Sequence, residues 1–394
     1  YELLKEGGVL SFISSNKWLR TIYGQKLRKF LKENTTLLKL VDFNGYKVFA
    51  QTVDTCIMEF LKKKPSPNHE FSYAIVPSDT EDPIEYIKNN QKNMKQEKLS
   101  DNAWTLGDEK VLALKEKIEK VGKPLKDWDV KIYRGVLTGF DKAFIIDTET
   151  RNKILANCKT EEERKRTEAI IKPVLRGRDI ERWRYEWAGL WVICTFPSLK
   201  LNIDDYPALR DYLASFGERL LQDGKPGHRK KTPHKWFETQ DNIAYYPEFE
   251  KEKIVWNRIT EKIIFSYVNA GYYILDSTFM ITGKNLKFLI AILNSNTISW
   301  WIKLSAATLG DGSYGAKIYI EKSPIPPITP QNQHIVKQIE ELASQILSLT
   351  QSDDYEENLQ KQAQVKNLEK QIDSLVYKLY GLTEEEIKII EGGG

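Results

Sequence analysis

Residues 6–31 read EGGVLSFISSNKWLRTIYGQKLRKFL. Gly7 and Gly8 make a turn. VLSFIS is an apolar run and predicts a buried strand. GQKLRKFLKEN predicts an amphipathic helix with Leu27, Phe30 and Leu31 on its inner face. Strand, polar turn, helix is a unit from the interior of an α/β sheet. Further along, LLKLVDF (37–43) and VDTCIMEFL (53–61) predict two more strands, and the short link NGYKVFAQT predicts that they pair antiparallel. FSYAIV (71–76) predicts a further strand that extends the sheet edge, after the exposed turn KKKPSPNHE.

Beyond this unit the pattern changes. Residues 80–105 are polar and charged and predict a linker with some helix. DEKVLALKEKIEKVG (108–122) predicts an amphipathic helix ended by Gly122. From 132 to about 330 the chain is mixed and rich in strands: KAFIID, LWVICTF (190–196), KIVWNRI (253–259), IFSYVNAGYYILDSTFMIT (264–282) and AKIYIEKSPIP (316–326). NLKFLIAILNSNTISWWIKL (285–304) predicts a helix buried on both faces. The end is helical: IVKQIEELASQILSL (335–349) and NLQKQAQVKNLEKQIDSLVYKLYGL (358–382) predict a packed pair. Thr383 with Glu386 has capping-box spacing for a last short helix.

The bulk numbers set bounds on this reading. A chain of 394 residues with 41% hydrophobic and 29% charged residues is a soluble globular protein of two or three domains. A net charge of +4 is mildly basic, so the distribution of charge matters more than its sum. Cys56, Cys158 and Cys194 are odd in number and far apart, which predicts reduced thiols in a cytosolic protein. No signal peptide and no membrane-spanning run is present in the sequence. Ten Trp, 19 Tyr and 15 Phe can fill cores; beside Lys and Arg they also suit stacking on bases.

Two stretches carry clustered charge. GKPGHRKKTPHKWFE (224–238) holds Lys225, Arg229, Lys230, Lys231 and Lys235 near the single Asp223, with Trp236 and Phe237 following. It reads either as a solvated loop or as a set of phosphate contacts. Its His228 and His234 have no nearby Cys and few carboxylates, so no metal site is expected. VLRGRDIERWRYEW (174–187) holds Arg176, Arg178, Arg182 and Arg184 among Trp183, Tyr185 and Trp187. These arginines either read guanine and phosphate or form an ion network with Asp179 and Glu181. GDGSYG (310–315) spells the dinucleotide fingerprint but follows a helix and precedes an expected strand, the wrong context; a flexible connection or a phosphate-touching loop remains. There is no Gly-x-Ser-x-Gly, no Walker loop and no convincing nuclease pattern.

The order of segments narrows this reading. GGVLSFISSNKWLRTIYGQKLRKFLKEN followed by LLKLVDFNGYKVFAQTVDTCIMEFLKK resembles the later half of a DNA adenine-N6 methyltransferase domain, of the TaqI-like and fused type IIG restriction-modification kind. IYRGVLTGFDKAFIID, IIKPVLRGRDIERW, YYILDSTFMITGKNLKFLIAILNSNTISWWIK and KSPIPPITPQNQ resemble the target recognition domain of those enzymes, and similar elements occur in type I specificity subunits. The resemblance covers nearly the whole chain and rests on the series rather than on one motif.

It implies an α/β remnant of a Rossmann-like methyltransferase sheet (1–100), a linker and connecting helix (101–131), an α+β target recognition domain (132–330) and a C-terminal helical hairpin (331–394). In this family the cofactor glycine motif and the Asn/Asp-Pro-Pro-Tyr/Phe motif precede the GGVLSFIS strand, and neither PPY nor PPF occurs here. The resemblance therefore implies a C-terminal fragment, inactive alone and without catalytic residues. Its intact enzyme would use S-adenosyl-L-methionine, and Mg2+ if a nuclease is present. The implied partners are double-stranded DNA and the missing N-terminal methyltransferase or nuclease portion, in the cytoplasm. Phe49 is implied to stack on a flipped adenine, with Tyr46 as the alternative. Arg134, Arg176, Arg178, Arg182, Lys225, Arg229, Lys230, Lys231 and Lys235 are the expected DNA contacts. A stand-alone type I specificity subunit without catalysis is the other reading; such a subunit does not need the SNKWLR sheet half.

Overall fold

The computed structural model describes residues 1–50, 53–100, 103–107, 109–260, 262–306, 314–315 and 317–392. The fold is mixed α/β with several sheets. Among the described residues no helix is long and apolar enough to cross a membrane.

The first unit holds β1 (Val9–Ser15), α1 (Gln25–Asn34), β2 (Thr36–Phe43), β3 (Thr55–Leu61), β4 (Glu70–Ile75), α2 (Pro83–Asn90) and β5 (Lys92–Lys95). Its five strands lie in the order β1-β3-β2-β4-β5. β2 and β3 pair antiparallel, as the short link between them predicts. β3 also runs antiparallel to β1, and β2 runs parallel to β4. The three strands β1, β2 and β4 therefore point the same way, and their C-terminal ends share one edge.

Four expectations for this unit change. β1 is not buried: it is an edge strand, paired only with β3, and Phe12 is 59% exposed. β4 does not close the far edge, because β5 pairs beyond it. The inner face of α1 is Arg28 with Leu31, while Leu27 and Phe30 face outward. The Arg28 guanidinium donates to the Trp18 and Thr21 carbonyls at 2.5 and 2.8 Å, closing the turn before the helix. Finally, the described residues of 80–105 are built into the unit. Asp82 caps α2, its carboxylate accepting from the Ile84 and Glu85 N–H groups, with Pro83 at the first helical position. Leu99, Trp104 and Leu106 enter the first core, and the Trp104 N–H donates to the Leu19 carbonyl at 2.7 Å.

The remainder begins with α3 (Glu109–Val121), β6 (Lys123–Pro124) and β7 (Val130–Arg134). Gly122 ends α3 as expected, and a Cβ there would sit 2.3 Å from the Pro324 carbonyl carbon. Next come α4 (Asp141–Phe144), β8 (Ile145–Asp147), α5 (Thr148–Ala156), α6 (Glu161–Ala169), β9 (Ile171–Leu175), β10 (Leu190–Ile193) and α7 (Pro207–Ala214). After them lie β11 (Lys253–Asn257), β12 (Ile259–Thr260), β13 (Ser266–Val268), β14 (Tyr273–Ile274) and β15 (Thr278–Gly283). Two four-stranded sheets result, β14-β9-β10-β8 and β13-β11-β15-β7. KAFIID is half helix, with only its last three residues extended.

The run 285–304 is two helices, α8 (Leu286–Leu293) and α9 (Asn296–Ser305), not one. Ser295 breaks it: its hydroxyl accepts from the Ile298 N–H, which starts a new helix. β16 (Tyr314–Gly315) pairs with β12. AKIYIEKSPIP is not a strand. It forms α10 (Lys317–Lys322), which buries Ile320, and then β17 (Pro324–Ile325), which pairs with β6. α11 (Gln333–Thr350), α12 (Leu359–Tyr380) and α13 (Glu384–Gly392) close the chain. The expected capping box is present: the Glu386 N–H donates to the Thr383 hydroxyl and the Thr383 N–H to the Glu386 carboxylate. The terminal helices share one core with β11, β15, α8 and α9, from Leu114 through Trp256 and Phe288 to Val376 and Ile390.

Candidate nucleic-acid interface

Strand ends converge at one edge of the second region. β7 runs parallel to β11, both being antiparallel to β15, and β9 runs parallel to β14. A bridge between Val136 and Leu275 joins the two sheets there. Hence Arg134, the loop 176–179, Asn257, Arg258 and the turn 275–277 come together. Gly177 is packed so tightly that a Cβ would lie 2.8 Å from Asn257 Oδ1 and 3.3 Å from Ser277 Oγ.

The arginines divide into struts and free side chains. Arg176 chelates Asp179, with Nη2 to Oδ1 at 2.7 Å and Nε to Oδ2 at 3.0 Å, and Asp179 is buried. That carboxylate raises the Arg176 pKa further. Arg182 donates to Glu369 at 2.5 Å and to the Asn294 carbonyl at 2.6 Å, and Glu369 also accepts from the Trp183 indole at 2.7 Å. Arg184 is buried among Glu181, Glu186 and Glu356. Arg176 and Arg184 thus pair with Asp179 and Glu181, whereas Arg182 ties the region to Glu369 on α12. Arg134 is half-exposed and pairs with Asp241 at 2.6 Å. Arg178 is exposed and has no hydrogen bond or ion pair among the described residues. The sequence reading missed Arg258 and Asp276, which sit at this same edge; their only sequence signal was a charged residue just past each of two strands.

The loop 224–235 is corrected at its centre. Arg229 is 2% exposed and cannot reach a phosphate. Its guanidinium donates to the Leu220, Thr138, Glu238 and Trp236 carbonyls at 2.5–3.0 Å. Burial lowers its pKa to about 10, so it stays charged at neutral pH. Gln222 adds two bonds, to the Lys235 and Glu238 carbonyls at 3.0 Å. Around this frame Lys225, Lys230, Lys231 and Lys235 are exposed, with Lys225 3.3 Å from Asp223 and the Lys235 ammonium 5.5 Å from the Phe237 ring centroid. His228 bonds Asp223 at 2.7 Å. Among the described residues no group of His, Cys, Asp and Glu could hold a metal ion.

At the first sheet, Phe49 lies in the link between β2 and β3 and is 47% exposed. Tyr46 is half-buried, packing on Phe43 with ring centroids 6.2 Å apart. Nearby polar groups are engaged with one another. Asp42 accepts from Asn16 at 2.7 Å and Arg20 at 2.8 Å, and Asp54 accepts from the Gly45 N–H at 3.2 Å. A cavity of about 990 Å3 opens elsewhere, between the Glu70/Lys95 end of the sheet and α3. Of GDGSYG, Tyr314–Gly315 form β16, and residues 310–313 lie outside the described residues.

Residues 172–325 match the TaqI-like C-terminal specificity domain, and residues 1–49 match the Eco57I restriction-modification methylase family. Over these two stretches the chain is similar to restriction-modification methyltransferases that carry a TaqI-like specificity domain. It is 28% identical to the Type II methyltransferase M.BstVI of Geobacillus stearothermophilus, over 99% of this chain and 67% of that protein. With the Type II methyltransferase M.XhoI of Xanthomonas vasicola it shares 26% identity, over 79% of this chain and 57% of the relative. The Type IIL restriction-modification enzyme MmeI, solved in complex with DNA, shares the fold: TM-score 0.57 at 13% identity, over 97% of this chain and 48% of that one. The chain spans between about half and two thirds of these proteins.

Proposed function

We propose that this chain recognises a specific duplex DNA sequence within a DNA adenine-N6 methyltransferase of a restriction-modification system. Residues 132–330 bind the target, residues 1–100 complete the methyltransferase sheet, and a preceding segment supplies the cofactor pocket and the catalytic residues. S-adenosyl-L-methionine, bound by the intact enzyme, supplies the methyl group. The observation that carries the reading is the charge arrangement: exposed lysines on a loop whose frame is pinned by buried Arg229, beside a strand-end edge bearing Arg178 and Arg134. Phosphate contact needs such cations on a rigid support. Three parallel strands with an antiparallel one between β1 and β2 support reading the first sheet as the end of a methyltransferase domain. A stand-alone specificity subunit has no use for that sheet.

Phe49 faces the extruded adenine and replaces part of its lost stacking. The test is duplex binding as a function of salt. Replacing Lys230 and Lys231 by Ala should weaken binding to all sequences alike and flatten the log–log salt slope by about 0.9 for each phosphate no longer neutralised. Unchanged affinity and slope would make the loop solvated surface.

A further inference from the structure

Three Arg–Asp pairs stand at the strand-end edge, and they differ in kind. Arg176–Asp179 is bidentate on a buried carboxylate, and Arg134–Asp241 is close at 2.6 Å. Arg258–Asp276 is a single contact at 3.5 Å between side chains 42% and 31% exposed. The first is held on a buried carboxylate, and the second is a short contact. The third is loose, and an exposed pair of that kind contributes little stability and opens readily.

Its backbone, in contrast, is held. The Arg258 N–H donates to the Ser277 carbonyl at 2.8 Å, and the Asp276 N–H to the Val136 carbonyl at 3.0 Å. A donor fork and an acceptor therefore stand side by side on a fixed frame, facing solvent.

That arrangement has a chemical complement. In the major groove guanine shows two acceptors, O6 and N7, and cytosine shows the N4 donor. Guanine O6 and cytosine N4 are hydrogen-bonded to each other, so they lie about 2.9 Å apart. Their spacing is close to that of the Arg258 and Asp276 heads. An A·T pair fits less well, since adenine shows the single acceptor N7 beside its own N6 donor and leaves half of the guanidinium fork unmatched.

We propose that Arg258 and Asp276 read one G·C base pair of the target, Arg258 donating to guanine O6 and N7 and Asp276 accepting from cytosine N4. This rests on the target recognition role proposed above. Arg178, on the loop that packs against Asn257 and Ser277, then faces the neighbouring base pair or its phosphate.

The experiment selects bound duplexes from a randomised library with the full chain and sequences them. The unsubstituted chain should enrich a motif that contains the G·C pair. Arg258→Ala should lower the preference at that one position by roughly ten- to a hundredfold, and Asp276→Ala should affect the same position. Arg258→Lys keeps the charge but not the fork, so it should preserve overall affinity and still lose the preference. The inference falls if Arg258→Ala weakens every sequence alike, leaves the motif intact or unfolds the chain, or if Lys restores the preference. A chain that enriches no motif before any substitution overturns the recognition role itself, and this inference with it.

Discussion

At the scale of single residues, one side-chain type carries opposite duties here. Arg229 is a strut whose donors close buried carbonyls, while Lys230 and Lys231, next in sequence, are solvent-facing. Arg229→Met should cost about 3 kcal/mol or more, because several buried acceptors lose their partner. Urea unfolding should show this as a lower midpoint at unchanged slope; a midpoint equal to the parent would refute the strut. Phe49 belongs to the other class. In an intact enzyme Phe49→Ala should slow methylation roughly ten- to a hundredfold at saturating DNA, since base stacking on a ring is worth about 1–3 kcal/mol. It should leave the preferred site unchanged, because a ring face has no donor or acceptor code. Methylation of a randomised library separates the two effects, and a shifted site preference would remove Phe49 from this role.

At the scale of elements, the break between α8 and α9 shows how distant groups shape a local run. The Asp373 carboxylate on α12 accepts from the Asn296 N–H at 2.8 Å and so caps α9 from another helix. Burial is the main cause that pushes its pKa up to about 6, against the opposing pull of that N–H and of Arg182, with Glu369 and Glu391 adding to the rise. A carboxyl whose folded pKa is raised holds its proton longer in the folded state. Its contribution is most favourable below about pH 4, the ordinary value, and is lost as pH rises through 6. Asp373→Asn keeps the acceptor and removes the ionisation. It should stabilise the chain by roughly 1–3 kcal/mol at pH 8, and the gain should shrink toward pH 5. Thermal unfolding at both pH values checks this; a gain that grows on acidification would contradict it. α10 teaches a similar lesson. KIYIEK alternates like a strand, yet it forms a helix that buries Ile320 in the shared core.

At the scale of the whole molecule there is a first-sheet core and a long core that joins α3, β11, β15 and the terminal helices. Neither contains a Pro-Pro-aromatic motif, so the chain alone should transfer no label from S-adenosyl-L-methionine to mixed-sequence duplex while still binding it. Robust transfer would place the chemistry within these residues. Local sequence dictated the strand–turn–helix opening, the antiparallel β2–β3 pair, the terminal helical pair and the Thr383–Glu386 cap, because periodicity and capping are local. It took the packed chain to make β1 an edge strand, to draw Leu99 and Trp104 out of the expected linker into the first core, and to turn some arginines into struts. Those outcomes depend on partners far along the chain: Arg182 meets Glu369 across 187 positions, and Arg229 meets Thr138 across 91. A charge pattern shows that cations are present; only tertiary packing places the carboxylate or carbonyl that occupies each one.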